Sequence, residues 1–525
     1  MAATGARLAE DVTARLVPLA VDLNRAWWDV NVEATEEHES RRVEAELALS
    51  DLLADRALFG ALEAARANGA QGPLRRQLDL LRDAFLPKQI AEDVRTRIVE
   101  LEASVEARFA SHRGVVGGRE VSDNEIKQIL RHEDDVALRR EAWEASKTVG
   151  AEVAEDVREL ARLRNAAAHS LGFRDWFALS IATSEMSEAK LFGTLDEVDR
   201  ATAEPFARWK AALDARLAAR FGCAVSDLRA WHYADPFFQE VPDDGGVALD
   251  EVFEGRDILE LSARTFDGVG LETRGILDRS DLFPRESKCQ HAFCIDVDRE
   301  GDIRVLANVV ANHDWMDTML HELGHGVFDA GIDPELPWLL RSCHLVSTEA
   351  IAILFGHLAG DVAWLERVAG LPASDAQSLA EPLRLRRGAQ KVLFARWVLV
   401  MTNFERRLYA DPEGDLDGAW WELVHRFQGV PPVEGRTAAD WAAKIHIACA
   451  PVYYHTYLYG DLLSSQLAAA LRREAGGLVD APEAGRFLTE RWFRPGLSLR
   501  WDELIEHATG EPLTARPFGE DIAGV

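Results

Sequence analysis

Within one turn of a helix-prone run stand two histidines and a glutamate: Met316-Asp-Thr-Met-Leu-His321-Glu322-Leu323-Gly324-His325-Gly-Val-Phe328. Residues four apart share a helical face, so His321 and His325 can offer two imidazoles to one ion while Glu322 leans into the same space. This is the spacing by which hydrolytic centres hold zinc, with the glutamate as general base. The flanks argue the same way. Met316, Leu320, Leu323, Val327 and Phe328 supply an apolar stripe, and the three polar residues interrupt it where an uncompensated charge is costly. A core helix with two buried histidines is the bland alternative; a metal compensates the charges directly.

Zinc takes nitrogen and oxygen donors in a tetrahedron and keeps one position for water at catalytic centres, so a third protein ligand is required. Six residues beyond His325, where one known arrangement has another histidine, stands Gly331, which has no side chain to donate. Glu335 comes ten residues after His325, but in Asp-Pro-Glu-Leu-Pro the two prolines favour a loop. Glu349 lies twenty-four residues on, in Val346-Ser347-Thr348-Glu349-Ala-Ile-Ala-Ile-Leu-Phe355, an apolar run that Ser347 is placed to cap as a new helix. A ligand on a second helix packed against the first is the more rigid solution. The sequence therefore favours His321, His325 and Glu349 as ligands of one Zn2+ per chain.

A second concentration of chemistry follows in Trp441-Ala-Ala-Lys444-Ile-His446-Ile-Ala-Cys-Ala-Pro451-Val-Tyr453-Tyr454-His455-Thr-Tyr457-Leu-Tyr459, where four of the six tyrosines fall within seven residues. Such a cluster can be an aromatic core. As chemistry, a phenol can donate to the oxyanion that forms when water attacks a carbonyl, and a lysine can pair with a substrate carboxylate. Just upstream of the zinc motif, Gln290–Val297 and Ile303–Val310 read as strands around a turn at Asp298–Asp302. An exposed edge strand there can hold an extended peptide by its main chain, or it can be purely structural.

The elements that must position these groups are mostly helical. Residues 6–222 are rich in Ala, Leu, Glu and Arg with apolar residues every three or four positions, broken at Asn68–Pro73, Gly114-Val-Val-Gly-Gly118 and Gly172–Trp176. The Trp27-Trp28 pair near Asn31 reads most simply as a buried helix, and Leu163-Arg164-Asn165 as a buried polar corner. Residues 223–288, with Pro236 and Pro242-Asp-Asp-Gly-Gly246, read as a connector, and 289–525 as the zinc-site and substrate-binding part. A net charge of -30 argues against nucleic acid and anionic membranes as partners. No apolar run reaches membrane-spanning length and no signal peptide is evident. Five cysteines, few and odd in number, fit reduced thiols in a cytoplasm.

At these residues the chain resembles a gluzincin peptidase of the angiotensin-converting-enzyme family, related in fold to the thimet oligopeptidase and oligopeptidase F families. The resemblance rests on the Trp-rich segment with Asn31, on Leu163-Arg164-Asn165, on His291-Ala292, on the zinc motif with Glu349, and on Lys444, His446, Tyr454 and Tyr457. It implies a mainly α, two-lobed ellipsoid with a deep channel, lidded by the N-terminal helices 1–222, a small β-hairpin beside the zinc helix, and a single bilobed catalytic unit over 1–525. It implies hydrolysis of short peptides, most simply release of C-terminal dipeptides, with internal cleavage of oligopeptides or silent peptide binding as alternatives. Carried over, Glu322 is the general base, Tyr457 the oxyanion donor and His446 a donor to the substrate backbone. His291 and Ala292 become edge-strand contacts, and Lys444 and Tyr454 hold the terminal carboxylate. Three departures stand out. Thr456 replaces a chloride-binding arginine, Ile353 replaces an aspartate that orients the zinc histidines, so that a backbone carbonyl is the expected substitute, and one extra residue separates His446 from the tyrosines. No sequence position suggests itself for the glutamine that assists the lysine.

Overall fold

The computed structural model describes residues 2–242 and 249–525, with side chains from residue 5 onward within those spans. Helix makes up 71% of it and the strands form only two two-stranded sheets, so the mainly α expectation holds. Two compact units emerge, each drawn from three separate stretches. The first comprises Met1–Gln89, Val247–Leu383 and Tyr459–Phe518, the second Ile90–Gly246, Arg384–Leu458 and Gly519–Val525. No described helix is long and apolar enough to cross a membrane.

The first unit opens with helices Ala2–Val32, Glu36–Leu53, Arg56–Ala67 and Gly72–Phe85. Thr35 and Asp55 start two of them by accepting first-turn N–H groups that would otherwise be orphaned. Apolar faces meet around Ala9, Val12, Leu52, Leu62, Leu78, Leu81 and Phe85. Trp27 and Trp28 pack on Phe293, with ring centroids 4.2 and 6.0 Å away, which fixes the first helix against the hairpin.

That hairpin pairs Phe293–Asp296 with Ile303–Leu306, Cys294 standing opposite Val305. Both strands are shorter than the sequence suggested, because the chain beyond Leu306 takes another partner. The Ala307 N–H donates to the Asp281 carbonyl and the Val309 N–H to that of Leu282, each at 2.9 Å. The motif helix spans His313–Gly331, and its Asn312 cap accepts from the Trp315 N–H at 2.9 Å. A second helix, Leu345–Gly356, follows. Its cap is His344 and not Ser347, which the sequence had suggested. The Thr348 N–H already bonds the His344 carbonyl at 3.1 Å, so the helix starts earlier and Ser347 is buried inside its first turn.

These two helices cross at Gly324. A Cβ there would lie 2.9 Å from Ala352 Cα and 3.1 Å from the Ile351 carbonyl oxygen. Ala352 is one turn past Glu349, so the close crossing carries Glu349 over the face that bears His321 and His325. On the other side Glu349 abuts Gly460, where a Cβ would meet its Cγ at 2.6 Å.

In the second unit the run of helices has one interruption that the sequence showed only as a break. Gly114–Val116 and Arg119–Val121 form a tight hairpin. Its turn needs two left-handed residues, and Gly117 and Gly118 supply them with φ of 59° and 73°. The helix Val136–Ser170 is notched at Gly150, where any Cβ would collide with the Ala439 carbonyl oxygen. The polar corner is real and structural. Buried Arg164 donates to the Tyr409 hydroxyl at 3.1 Å, to Glu102 at 2.5 Å and to the Ala448 carbonyl. Asn165 bridges the Tyr409 carbonyl at 2.8 Å and the Trp176 N–H at 2.9 Å. Of the looser stretch 223–288, Ile258–Val269 is a helix opened by Asp257 and closed by left-handed Gly270. Residues 243–246 of its proline-rich loop lie outside the described residues.

Overpacking a tight helix crossing costs about 1–3 kcal/mol. Gly324→Ala is therefore expected to lower the urea unfolding midpoint, whereas Gly193→Ala, at a helical position with nothing within 4 Å, leaves it unchanged or raises it.

Candidate active site

His321, His325 and Glu349 come together as the crossing geometry requires, their ligand atoms all within 4.8 Å of one another. Among the described residues this is the one such cluster. His321 Nε2 stands 3.8 Å from one Glu349 oxygen and His325 Nε2 3.9 Å from the other. Donors bonded to tetrahedral zinc at 2.0–2.1 Å sit about 3.3 Å apart, so each histidine needs to close on Glu349 by only about half an ångström to share an ion with it. Their side chains are 26%, 18% and 14% exposed, so the cluster is not sealed from solvent.

The electrostatics fit a cation. Burial pushes His321 down to about 4, and burial with His321 alongside pushes His325 down to about 3, so both imidazoles are neutral donors near pH 7. Burial, then neighbouring Glu349, lifts Glu322 to about 8; a hydrogen bond from the Cys294 N–H opposes this. Burial, then Asp461, lifts Glu349 to about 7. Two carboxyls raised this far lie where positive charge is wanted, and a divalent ion there favours their ionised forms. Two imidazoles and one carboxylate are a donor set found at catalytic zinc.

His291 and Ala292 lie immediately before the strand Phe293–Asp296, His291 exposed and Ala292 half-buried. The strand's Cys294 N–H is already engaged by Glu322.

Lys444, His446, Tyr454 and Tyr457 form a group of their own in the second unit. The His446 and Tyr454 rings are 4.9 Å apart and those of Tyr454 and Tyr457 5.6 Å. Lys444 Nζ lies 5.5 Å from the Tyr454 ring centre. Burial, then Lys444, lowers His446 to about 4, and its buried Nδ1 has no hydrogen-bond partner. The interval with one extra residue contains Val452 at φ 57°, a left-handed conformation costly for a β-branched side chain. It is pinned by buried Glu405, which accepts the Val452 N–H at 2.6 Å.

Two residues that the sequence did not single out complete these groups. Gln239 Oε1 accepts from Lys444 Nζ at 3.1 Å, across 205 positions of chain. No local pattern marks a glutamine that acts at such separation. The partner of His325 is likewise not a backbone carbonyl, as expected, but the hydroxyl of Thr348, 2.7 Å from Nδ1. A hydroxyl-bearing residue directly before the proposed ligand was the available signal.

Comparison with known proteins gives two family matches in different parts of the chain. Residues 273–523 match peptidase family M3, and residues 3–205 match angiotensin-converting enzyme. Angiotensin-converting enzyme of Bos taurus is 25% identical over 249 residues, covering 45% of this chain and 19% of that protein. The Theromyzon tessulatum enzyme is 20% identical over 311 residues, 55% of this chain and 50% of that one. Thermostable carboxypeptidase 1 of Thermus thermophilus is 26% identical over 230 residues, 38% of this chain and 44% of that one. The chain thus spans from about a fifth to a half of these relatives. Both family matches are to peptidases, and the cluster of two histidines and a glutamate is a donor set that suits zinc.

Proposed function

We propose that the chain acts as one peptidase unit that hydrolyses short peptides at a single zinc ion and recognises their free C-terminus, releasing dipeptides. The observation that carries the C-terminal reading is Lys444. It is a half-buried cation whose hydrogen-bond partner is the neutral amide of Gln239, and no described carboxylate lies within ion-pair distance. Such a cation is available to a substrate carboxylate, which Gln239 and Tyr454 can help orient.

Zinc held by His321, His325 and Glu349 would polarise the scissile carbonyl and acidify water. Glu322, beside the ligands and tuned by burial, takes the proton of the attacking water and delivers it to the leaving amine. Tyr457 donates its phenol to the developing oxyanion, and His446, neutral and with a ring nitrogen unengaged, donates to a substrate carbonyl. Tyr457 stands three residues before Gly460 on the helix His455–Ala475. His291 and Ala292, next to a strand end, take the peptide main chain. The five free cysteines support a reducing compartment such as the cytoplasm.

Internal cleavage is the competing mode, and amidation separates the two. Amidating the C-terminus of a test peptide is expected to cut kcat/KM about tenfold or more, since the charge-assisted bond to Lys444 is lost. An unchanged rate identifies an endopeptidase. Lys444 is held down to about 8, by burial first. It is cationic below that value and neutral above it, so kcat/KM for free-acid peptides is expected to fall as pH rises through about 8 relative to amidated ones. Glu322→Gln is expected to lower kcat by about 10²–10⁴ while zinc content stays at one per chain. Tyr457→Phe is expected to lower kcat by about 10²–10³ with little change in KM, as steady-state kinetics would show.

A further inference from the structure

A metal-bound imidazole is held in orientation by whatever its other nitrogen bonds, and in this chain Ile353 stands where the resemblance implies a carboxylate. Resting on the zinc reading above, a different arrangement can be traced through four side chains. With Nε2, on the side of Glu349, given to zinc, Nδ1 of His325 carries the proton and donates it to Thr348 Oγ1 at 2.7 Å. The Thr348 hydroxyl donates in turn to the Cys343 sulfur. The Cys343 thiol donates to Asp329 Oδ1 at 3.5 Å. Asp329 is four residues past His325, so the chain of bonds leaves the motif helix at the zinc ligand and returns to it one turn later.

We infer that Thr348, Cys343 and Asp329 form a hydrogen-bond chain, closed into a loop by one turn of the motif helix, that fixes the ring of His325 for zinc, with Thr348 the positioning residue and Asp329 its terminal acceptor. Every donor in the loop points the same way round, from the imidazole towards the carboxylate. Three segments are locked by it: the motif helix, the residue before the Leu345–Gly356 helix cap, and the first turn of that helix. Because Thr348 directly precedes Glu349, the same helical turn supplies one ligand and orients another. The loop also explains why a threonine suffices: the neutral hydroxyl passes the polarity of a carboxylate that does not itself reach the imidazole.

The test is the zinc dissociation constant of the full chain, measured by competition with a chelator, alongside the thermal unfolding of the zinc-free protein. Loss of such a partner lowers metal affinity about 10–100-fold. Thr348→Val is expected to weaken zinc binding by that factor with the zinc-free melting temperature near the native value, and Thr348→Ser to restore affinity to within about threefold. Asp329→Asn, nearly isosteric and remote from the ion, is expected to weaken it in the same direction and provides the readout if Thr348→Val does not fold. A folded Thr348→Val or Asp329→Asn protein that holds zinc as tightly as the native chain overturns the loop. Native protein that takes up no zinc overturns the underlying metal assignment instead.

Discussion

How near two helices can approach decides what the metal cluster can be. A backbone crossing with an α-carbon in place of a side chain brings Ala352 and Ile351 against Gly324, and that separation sets where Glu349 stands relative to His321 and His325. Ligand identity alone does not suffice, because a carboxylate on a helix one side chain farther away reaches the ion only by losing its own packing. The second glycine, Gly460, presses Glu349 from behind and removes the space in which it could swing away. Rigidity in the ligand set thus comes from two missing side chains.

Both clusters share one electrostatic feature: burial holds their titratable groups towards the neutral form. In the first unit, buried carboxyls are lifted towards neutrality and imidazoles are kept unprotonated, which suits a cation. In the second, Lys444 is depressed by burial and bonded to an amide, which suits an anion.

That His321, His325 and Glu349 would meet was readable from the amino-acid order, because two of them share a helical turn and the third sits in an unmistakable apolar helix. The start of that helix was misread, since His344 caps it and Ser347, the residue type that usually would, is swallowed by the first turn. The hairpin at Gly117-Gly118 passed for a simple break because three-residue strands carry too little alternation to show. Thr348 and Gln239 were invisible for another reason. Each acts through a partner distant in sequence, and neither periodicity nor composition encodes which side chains will meet across helices. The extra residue between His446 and the tyrosines was legible as a count, but its form, Val452 in a left-handed conformation tethered by Glu405, belongs to the packed state.

The interleaving of the two units has a consequence for how the protein comes into being. A nascent chain that has left the ribosome as far as residue 356 already owns His321, His325 and Glu349, yet the segment Tyr459–Phe518 of their unit, including Gly460 at the back of Glu349, has not been translated. The last stretch of the second unit, Gly519–Val525, emerges later still. The cluster therefore reaches its packed form only after residues far beyond Glu349 have been made, and a product terminated before Tyr459 would carry the motif without the segment that packs behind it.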